Sequence, residues 1–279
     1  MTDAKSSHQS AAGVSGYVES LKRDRDRFVA LAFCAADLLI EINANGIVTF
    51  SAGATQSLMG KRPEELIGLS FMSLMAEPYQ ALVRELISGM TPGARLDPVP
   101  VRLNGQQGPT VPLSLMGYHL PDMPGCHFFA FRLGAVPAAE ALLDGATRDS
   151  ESGLLEKDAF ACIASHQISE AGKRGEKLAL TMVHTGDLSK FRAKLDQESS
   201  TSLMQNLGAC LQANSTAGQS AGRLDDNSYG FLHRAGIDIK TIIGRVEEIF
   251  QAADPRGVRI PIRTGTIGAD IGGRSASDA

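Results

Sequence analysis

The chain has 279 residues, with 27 lysine and arginine residues against 31 aspartate and glutamate residues, and a formal net charge of −4. This length suggests about two domains, each long enough to bury a core. The small acidic excess argues against a nucleic-acid-binding protein, which usually carries a basic excess. Because no apolar run is long enough for a membrane span and no secretory signal precedes the first polar residues, we expect a cytoplasmic protein.

The first 35 residues divide into a tail and a helix. Residues 1–16 are small and polar and lack periodicity, which predicts a disordered tail. Beyond them, four apolar residues recur at helical spacing: Val18, Leu21, Phe28 and Ala32. This spacing predicts an N-terminal signalling helix over residues 17–35. Its alternating charges fit a solvated face or the flank of a coiled-coil seam with a second copy, and both interpretations stay open.

Residues 36–134 contain two strand-like runs, then short helices, then three strand-like runs. The first two runs flank Asn45-Gly46, which predicts a tight hairpin with positive φ angles at both positions. The strands are expected at 38–42, 47–50, 99–103, 110–120 and 127–133. The short helices are expected at 54–59, 63–66 and 78–87. Proline at the start of the second of these helices and the Asn-Gly and Pro-Gly pairs between the later strands support this division.

This first unit resembles a PAS sensory domain. The run ADLLIEINANGIV, residues 36–48, is similar to the opening hairpin of that family, and residues 58–60 and 63–68 are similar to its helical middle. The resemblance implies an antiparallel five-stranded sheet with short helices over residues 36–134. It also implies sensory input. The ligand stays unknown and no cofactor is predicted: the low aromatic content fits either a small apolar ligand or an empty pocket.

A helical stretch within residues 135–147 predicts a linker helix to a second unit, residues 148–279. Helices and strands alternate there, which predicts a sheet layered with helices. Helices are expected at 156–170, 201–212 and 239–252. Strands are expected at 178–184 and 258–267, with a hairpin between the second and third helices. The chain as a whole is therefore expected to be α+β.

The second unit resembles a degenerate diguanylate cyclase (GGDEF) domain. Its opening, residues 148–160, is similar to the family pattern D-x-L-T-G-L-x-N-R-x-x-F. Four residues agree with that pattern: Asp149, Gly153, Leu154 and Phe160. The run RLDDNSYGFL, residues 223–232, occupies the place of the signature hairpin. The resemblance implies a GGDEF-like α/β domain in which the family's last helix is missing, and a chain truncated at its C-terminus.

The signature hairpin departs from the family at the positions that carry its chemistry. Asp225 and Asp226 stand where the family has glycines that let the backbone approach the nucleotide. Asn227 and Ser228 stand at the next two acidic positions, and Tyr229 closes the signature. Since Mg²⁺ prefers charged oxygen ligands and phosphoryl transfer depends on the metal, an amide and a hydroxyl are poor replacements.

Two further family elements are absent. The first strand of the family ends in Asp-x-Asp, and the corresponding residues here are His184 and Gly186, with Asp187 one position too late to share the same face. The product-inhibition motif Arg-x-x-Asp is replaced by residues 216–219, Thr-Ala-Gly-Gln. We therefore predict no catalytic residue and no metal site, and name His184, Gly186 and residues 225–229 as degenerate signature positions.

These observations predict a regulatory module of the cyclic di-GMP system rather than an enzyme. PAS input would act on an inactive cyclase-like relay domain. The expected partners are a second copy of the chain, a possible small molecule in the PAS unit, and a possible output domain such as an EAL phosphodiesterase outside this chain. The alternatives are a residual diguanylate cyclase and a GTP-binding domain without turnover.

Overall fold

The computed structural model describes residues 4–134, 146–255, 257 and 259–269, with side chains described from residue 19 onward, except that of Arg25. These residues form two sheet-based units, and their mixed helices and strands confirm the predicted α+β class. The predicted linker helix falls largely on residues 135–145, outside the described residues. No helix in the described ranges combines the length and apolar character needed to cross a membrane.

The first helix is longer than predicted. Helix α1 spans Ala4–Ala35, so residues 4–16 are helical and the expected disordered tail over 1–16 is wrong for them. Alanine has the highest helix propensity, and extending an existing helix costs much less than starting one. Periodicity, the signal used for the prediction, marks only helices that bury one face. The predicted end at residue 35 is confirmed.

Five strands form the sheet of the N-terminal unit, and every neighbouring pair is antiparallel. They are β1 (Leu38–Ile42), β2 (Val48–Gly53), β3 (Arg95–Val101), β6 (Leu113–Tyr118) and β7 (His127–Leu133), in the order β2-β1-β7-β6-β3. A two-residue pair, β4 (Asn104–Gly105) and β5 (Gly108–Pro109), was not predicted. The helices are α2 (Thr55–Met59), α3 (Pro63–Leu66), α4 (Phe71–Leu74) and α5 (Glu77–Ser88).

The turn between β1 and β2 differs from the predicted one. Gly46 has a φ of 72°, but Asn45 keeps a negative φ, so only one of the two positions is left-handed. The side chain of Asn43 explains the difference: its Oδ1 accepts hydrogen bonds from the backbone N–H groups of Asn45 at 3.0 Å and Ile47 at 3.1 Å. An asparagine that bonds to its own loop in this way stabilises a wider turn than the two-residue hairpin.

Aromatic rings fill the space between the N-terminal sheet and its helices. Phe71 is fully buried and stacks on Phe129 with ring centroids 4.7 Å apart, and Phe131 lies 6.3 Å from Phe71. Buried Met59 and Met75 pack in the same cluster. The packing of rings and flexible methionines against the sheet stabilises the N-terminal unit chiefly through apolar burial.

Replacing Phe71 with alanine should lower the free energy of unfolding of the N-terminal unit by about 3–5 kcal/mol, since the change deletes a fully buried ring. Chemical denaturation followed by circular dichroism measures this loss. Phe50→Ala is the matched control, because Phe50 is 46% exposed on β2. Equal losses in the two variants would contradict the assignment of Phe71 to the core.

The C-terminal unit contains a second five-stranded sheet of order β12-β9-β11-β10-β8. Its strands are β8 (Leu155–Glu156), β9 (Leu178–Thr185), β10 (Ala221–Arg223), β11 (Ser228–Arg234) and β12 (Ile262–Ala269). Its helices are α6 (Lys157–Arg174), α7 (Leu188–Arg192), α8 (Gln197–Ala213) and α9 (Ile239–Ala253), with a 3-10 turn at Thr216–Gly218. Only β8 and β10 are parallel. Buried clusters on the two faces confirm a sheet layered with helices.

Three boundaries in the C-terminal unit differ by four residues from the predicted ones, the first being the end of α6, at Arg174 rather than at residue 170. Helix α8 begins at Gln197 rather than at residue 201, because the side chain of Asp196 accepts a hydrogen bond from the backbone N–H of Ser199 at 2.7 Å and caps the earlier turn. Strand β12 begins at Ile262, where its pairing with Thr185 of β9 starts, rather than at residue 258.

Candidate functional site

The residues named from the signature meet at one end of the second sheet. Strands β10 and β11 form the expected hairpin, and residues 224–227 are the loop between them. Strand β9 lies beside β11 and pairs His184 with Ser228 and Val183 with Tyr229. The hairpin loop and the end of β9 are therefore neighbours, as the prediction requires. The hydrogen-bond partners of these side chains decide whether this end of the sheet can bind a metal ion and a nucleotide.

Both the backbone and the side-chain oxygen of Asn227 accept hydrogen bonds from other residues of the protein. Its backbone carbonyl accepts from the N–H of Thr185 at 2.8 Å and from the hydroxyl of Thr185 at 3.1 Å. Its side-chain Oδ1 accepts from the backbone N–H of Leu188, the first residue of α7, at 3.1 Å. A metal ligand needs an oxygen with a free lone pair directed at the ion. Here the oxygens of Asn227 instead tie the hairpin to the β9–α7 connection.

The two aspartates of the loop do not form a joint carboxylate site. The Oδ1 of Asp225 accepts from the backbone N–H of Asn227 at 2.8 Å, which stabilises the turn and lowers the pKa of Asp225 below its usual value. Asp226 is 98% exposed, with Arg223 3.7 Å away. Neither aspartate has a positive φ angle, so the loop uses ordinary backbone conformations where the family pattern has glycines. Both carboxylates fit a solvated hairpin.

His184 and Ser228 form a polar pair on the exposed end of the sheet. The Nδ1 of His184 lies 3.0 Å from the hydroxyl oxygen of Ser228. The family pattern has a carboxylate at each of these positions, and the pair here carries no fixed negative charge. Phosphoryl transfer needs the metal to neutralise developing charge, and Mg²⁺ prefers charged oxygen ligands to an imidazole and a hydroxyl.

Gly186 and Asp187 complete the β9–α7 connection, and each has a structural role. The N–H of Gly186 donates to the carbonyl of Pro261 at 2.9 Å. A Cβ atom at Gly186 would lie 3.0 Å from the ring of Pro261, which is a tight contact, so a side chain there would need this ring to shift slightly. Asp187 caps α7 and accepts from Ser189 and Lys190, which lowers the pKa of Asp187 to about 2.

A cluster of charged residues lies beneath the hairpin, and the sequence analysis did not predict it. The guanidinium of Arg223 donates to Asp149 at 2.9 Å and to Glu151 at 3.0 Å. Arg192 donates to both oxygens of Glu151, at 2.6 and 3.0 Å, and to the hydroxyl of Ser200 at 2.8 Å. The cluster joins the opening loop of the unit to β10, α7 and α8.

One sequence signal for this cluster was available. Glu151 occupies the position where the opening pattern D-x-L-T-G-L has leucine, and a charge in an apolar position needs a partner when it is partly buried. Arg192 follows no local motif, and only the fold brings it to Glu151. Hydrogen bonds from Arg192 lower the pKa of Glu151, burial opposes this, and Arg223 lowers it further.

Tyr229 takes the last signature position and lies beside the charged cluster. Its side chain is fully buried, and its hydroxyl makes no hydrogen bond with the described residues. Burial raises the pKa of Tyr229 to about 12, so the phenol stays neutral. Within the described ranges no three His, Cys, Asp or Glu side chains are arranged to hold a metal ion. The chemistry of this donor set does not fit a catalytic Mg²⁺.

No protein-family model matches the sequence, and no curated protein matches it. The solved structures to which it is similar are PAS domains and GGDEF domains. A PAS domain of an HTR-like protein from Haloarcula marismortui is 16% identical, with a TM-score of 0.36, and the match covers 42% of this chain and 98% of that chain.

Several other matches are GGDEF proteins, and two of them serve as examples. The GGDEF domain of FimX from Pseudomonas aeruginosa is 13% identical, with a TM-score of 0.37, and the match covers 47% of this chain and 84% of that chain. A sensory box/GGDEF family protein from Caulobacter crescentus is 21% identical, with a TM-score of 0.35, and the match covers 44% of this chain and 83% of that chain.

The charged cluster makes stability depend on pH in a defined direction. The pKa of Glu151 is lower in the folded state than in the unfolded chain, so the unfolded chain binds more protons as the pH falls. The stabilisation is complete above the unfolded pKa of about 4.3 and is lost as the pH falls through the folded pKa. Glu151→Gln should therefore reduce the loss of stability between about pH 5 and about pH 3.

Urea denaturation of the wild type and the variant across this pH range measures the effect. The matched control is Glu156→Gln, because Glu156 is an exposed carboxylate of the same segment. The control should keep the pH dependence of the wild type. If Glu151→Gln also keeps it, Glu151 does not contribute through its charge.

Proposed function

We propose that the chain is a cytoplasmic signalling module of the cyclic di-GMP system in which a PAS unit regulates a catalytically inactive GGDEF-like unit. The second unit would act as a relay toward an output that lies elsewhere, such as an EAL phosphodiesterase domain or a partner protein. The observation that carries the proposal is the state of Asn227, whose oxygens hold the hairpin against β9 and α7. These hydrogen bonds direct the oxygens of Asn227 toward groups of the protein, and an amide oxygen brings no negative charge to a metal ion.

The neighbouring positions support the same proposal through charge and shape. Asp225 and Asp226 add negative charge where a triphosphate would approach, and like charges so close together repel. Gly186 packs closely against the ring of Pro261 and has no side chain to offer a metal ion. The positions that the family resemblance assigns to metal and nucleotide thus hold groups with structural contacts or solvated carboxylates. The same residues argue against GTP binding without turnover, which would also need the phosphates beside this loop.

The first test is incubation of the purified full chain with GTP and Mg²⁺, followed by chromatography for cyclic di-GMP and calorimetry for binding. We expect no product and no saturable heat. An active diguanylate cyclase assayed in parallel establishes that the assay works. Product would establish the residual-cyclase alternative, and saturable binding without product would establish the nucleotide-receptor alternative. Either result would overturn the relay proposal.

We further propose that the module is a homodimer joined along α1. Among the described side chains of this helix, five large apolar ones are exposed, and three of them have heptad spacing: Leu21 at 51%, Phe28 at 68% and Leu31 at 60%. Leu21 and Phe28 are one heptad apart and Leu31 follows three residues later, which places them on one seam of a coiled coil. The same spacing occurs in a second copy of the chain, so two α1 helices are mutually complementary without any other partner.

Phe28→Asp should dissociate this dimer, because it would place two carboxylates in the apolar seam. Sedimentation velocity of the full chain measures the effect as a loss of dimer at concentrations where the wild type is dimeric. Lys22→Asp is the matched control on the same helix, outside the seam, and should leave the dimer intact. A wild-type monomer, or a Phe28→Asp variant as dimeric as the wild type, would contradict this seam.

A further inference from the structure

Helix α5 of the N-terminal unit makes packing contacts on two of its faces. Leu82, Val83 and Leu86 are buried in the core formed with the sheet. On another face, α5 packs directly against α8 of the C-terminal unit. Ala213, the last residue of α8, packs against the core cluster of the N-terminal unit. A single helix thus belongs both to the sensory core and to the boundary between the units.

An ion pair fixes this boundary. The carboxylate of Glu85 on α5 receives two hydrogen bonds from Arg245 on α9, at 2.9 and 3.1 Å, and its side chain is only 10% exposed. Arg245 also donates to Glu248 at 3.0 Å. A bidentate arginine–carboxylate pair specifies geometry as well as charge, so α5 is held at a defined position on α9.

The buried thiol of Cys210 shows how closely the two units approach. Cys210 lies on α8, and burial raises its pKa to about 12, with the charge of Glu85 from the other unit acting in the same direction. Cys210 is 1% exposed in the core of the C-terminal unit. Helices α5 and α8 are therefore in contact and close enough for a charge on α5 to act on a group within α8.

A second contact lies where the family resemblance places the product-inhibition motif. Here residues 216–218 form a 3-10 turn that packs on β3 of the N-terminal unit. A Cβ atom at Gly218, which has a φ of 64°, would lie 2.8 Å from Val99 of β3. Arg234 at the end of β11 reaches Asp97 of β3 at 3.2 Å. Strand β11 and the turn before β10 thus both contact the sensory unit.

We propose that the state of the PAS unit reaches the C-terminal unit by direct contact through α5, with the Glu85–Arg245 pair as the latch and α8 as the receiving element. A change in the sensory core that moves Leu82, Val83 or Leu86 also moves Glu85, because all four residues share one helix. Close-packed interfaces shift between discrete arrangements rather than deforming gradually, so a small movement of α5 changes the support of α8.

The first experiment compares two matched perturbations of the sensory core by hydrogen–deuterium exchange of the full chain. Val83→Ala on α5 and Val48→Ala on β2 remove the same methyl groups from residues that are 0% and 1% exposed. We expect exchange in residues 197–213 to rise at least about fivefold more in Val83→Ala than in Val48→Ala. Equal exchange of α8 in the two variants would overturn the proposal.

The second experiment tests the latch by charge reversal. Glu85→Arg and Arg245→Glu should each raise exchange in α8, and the double variant, which restores opposite charges, should return it toward the wild-type rate. Glu64→Arg is the control, since Glu64 is an exposed carboxylate on α3 of the same unit. No effect of the single variants, or no recovery in the double variant, would overturn the assignment of the latch.

This inference deepens the relay role proposed above, and its test is independent of nucleotide chemistry. Amide exchange in α8 reports contact between the units whether or not the chain binds GTP. A chain that makes cyclic di-GMP and still shows the α5 effect would overturn the relay proposal alone. A chain without turnover that shows no α5 effect would overturn the coupling route alone.

Discussion

The hydrogen bonds that Asn227 accepts from Thr185 and Leu188 are the constraint on which the arrangement of the β10–β11 hairpin depends. One residue joins the β10–β11 loop to the end of β9 through its carbonyl and to the first turn of α7 through its side chain. Hydrogen bonds of this kind are costly to leave unmade in a partly buried position. The β10–β11 loop, the end of β9 and the start of α7 are therefore held together at the position that the family resemblance assigns to metal binding.

The charged cluster beneath the hairpin holds the hairpin in place through a second set of hydrogen bonds. Arg223 holds the base of β10 to Asp149 and Glu151, and Arg192 extends the same network to α7 and α8. The hairpin is thus held to α7 by the neutral hydrogen bond of Asn227 and, through the charged cluster, to α7 and the opening loop by ionic hydrogen bonds. Because α8 also packs on α5 of the N-terminal unit, the network connects the β10–β11 hairpin to the boundary between the units.

Sequence patterns predicted the elements that bury one face. Strands β1 and β7 begin and end where predicted, because their alternating apolar residues line the core. The start of α1 was missed because its first residues have no periodic apolar face. The turn at Asn45-Gly46 was wrong in detail because the side chain of Asn43, not the glycine alone, sets its shape.

The candidate site was predictable in position but not in its bonding. Local motifs named both His184 and Ser228 as signature positions, and the structure pairs the two residues on neighbouring strands. The pair of Arg192 with Glu151 joins residues 41 positions apart, and the pair of Arg245 with Glu85 joins residues 160 positions apart. No spacing rule covers such distances, because they depend on how helices pack on a finished sheet. The hydrogen bond from Leu188 to the side chain of Asn227 likewise depends on where α7 begins.

The most direct test of the central claim is paramagnetic broadening of amide resonances by Mn²⁺ in the presence of GTP, recorded on the isotope-labelled full chain. Mn²⁺ takes the same oxygen ligands as Mg²⁺ and broadens the signals of nearby groups. If the hairpin is a structural joint, the amides of Thr185, Asn227 and Ser228 broaden only gradually with metal concentration and without saturation, as do those beside other exposed carboxylates. Selective, saturable broadening of these three amides would contradict the claim, since it would place a metal ion where the structure places hydrogen bonds.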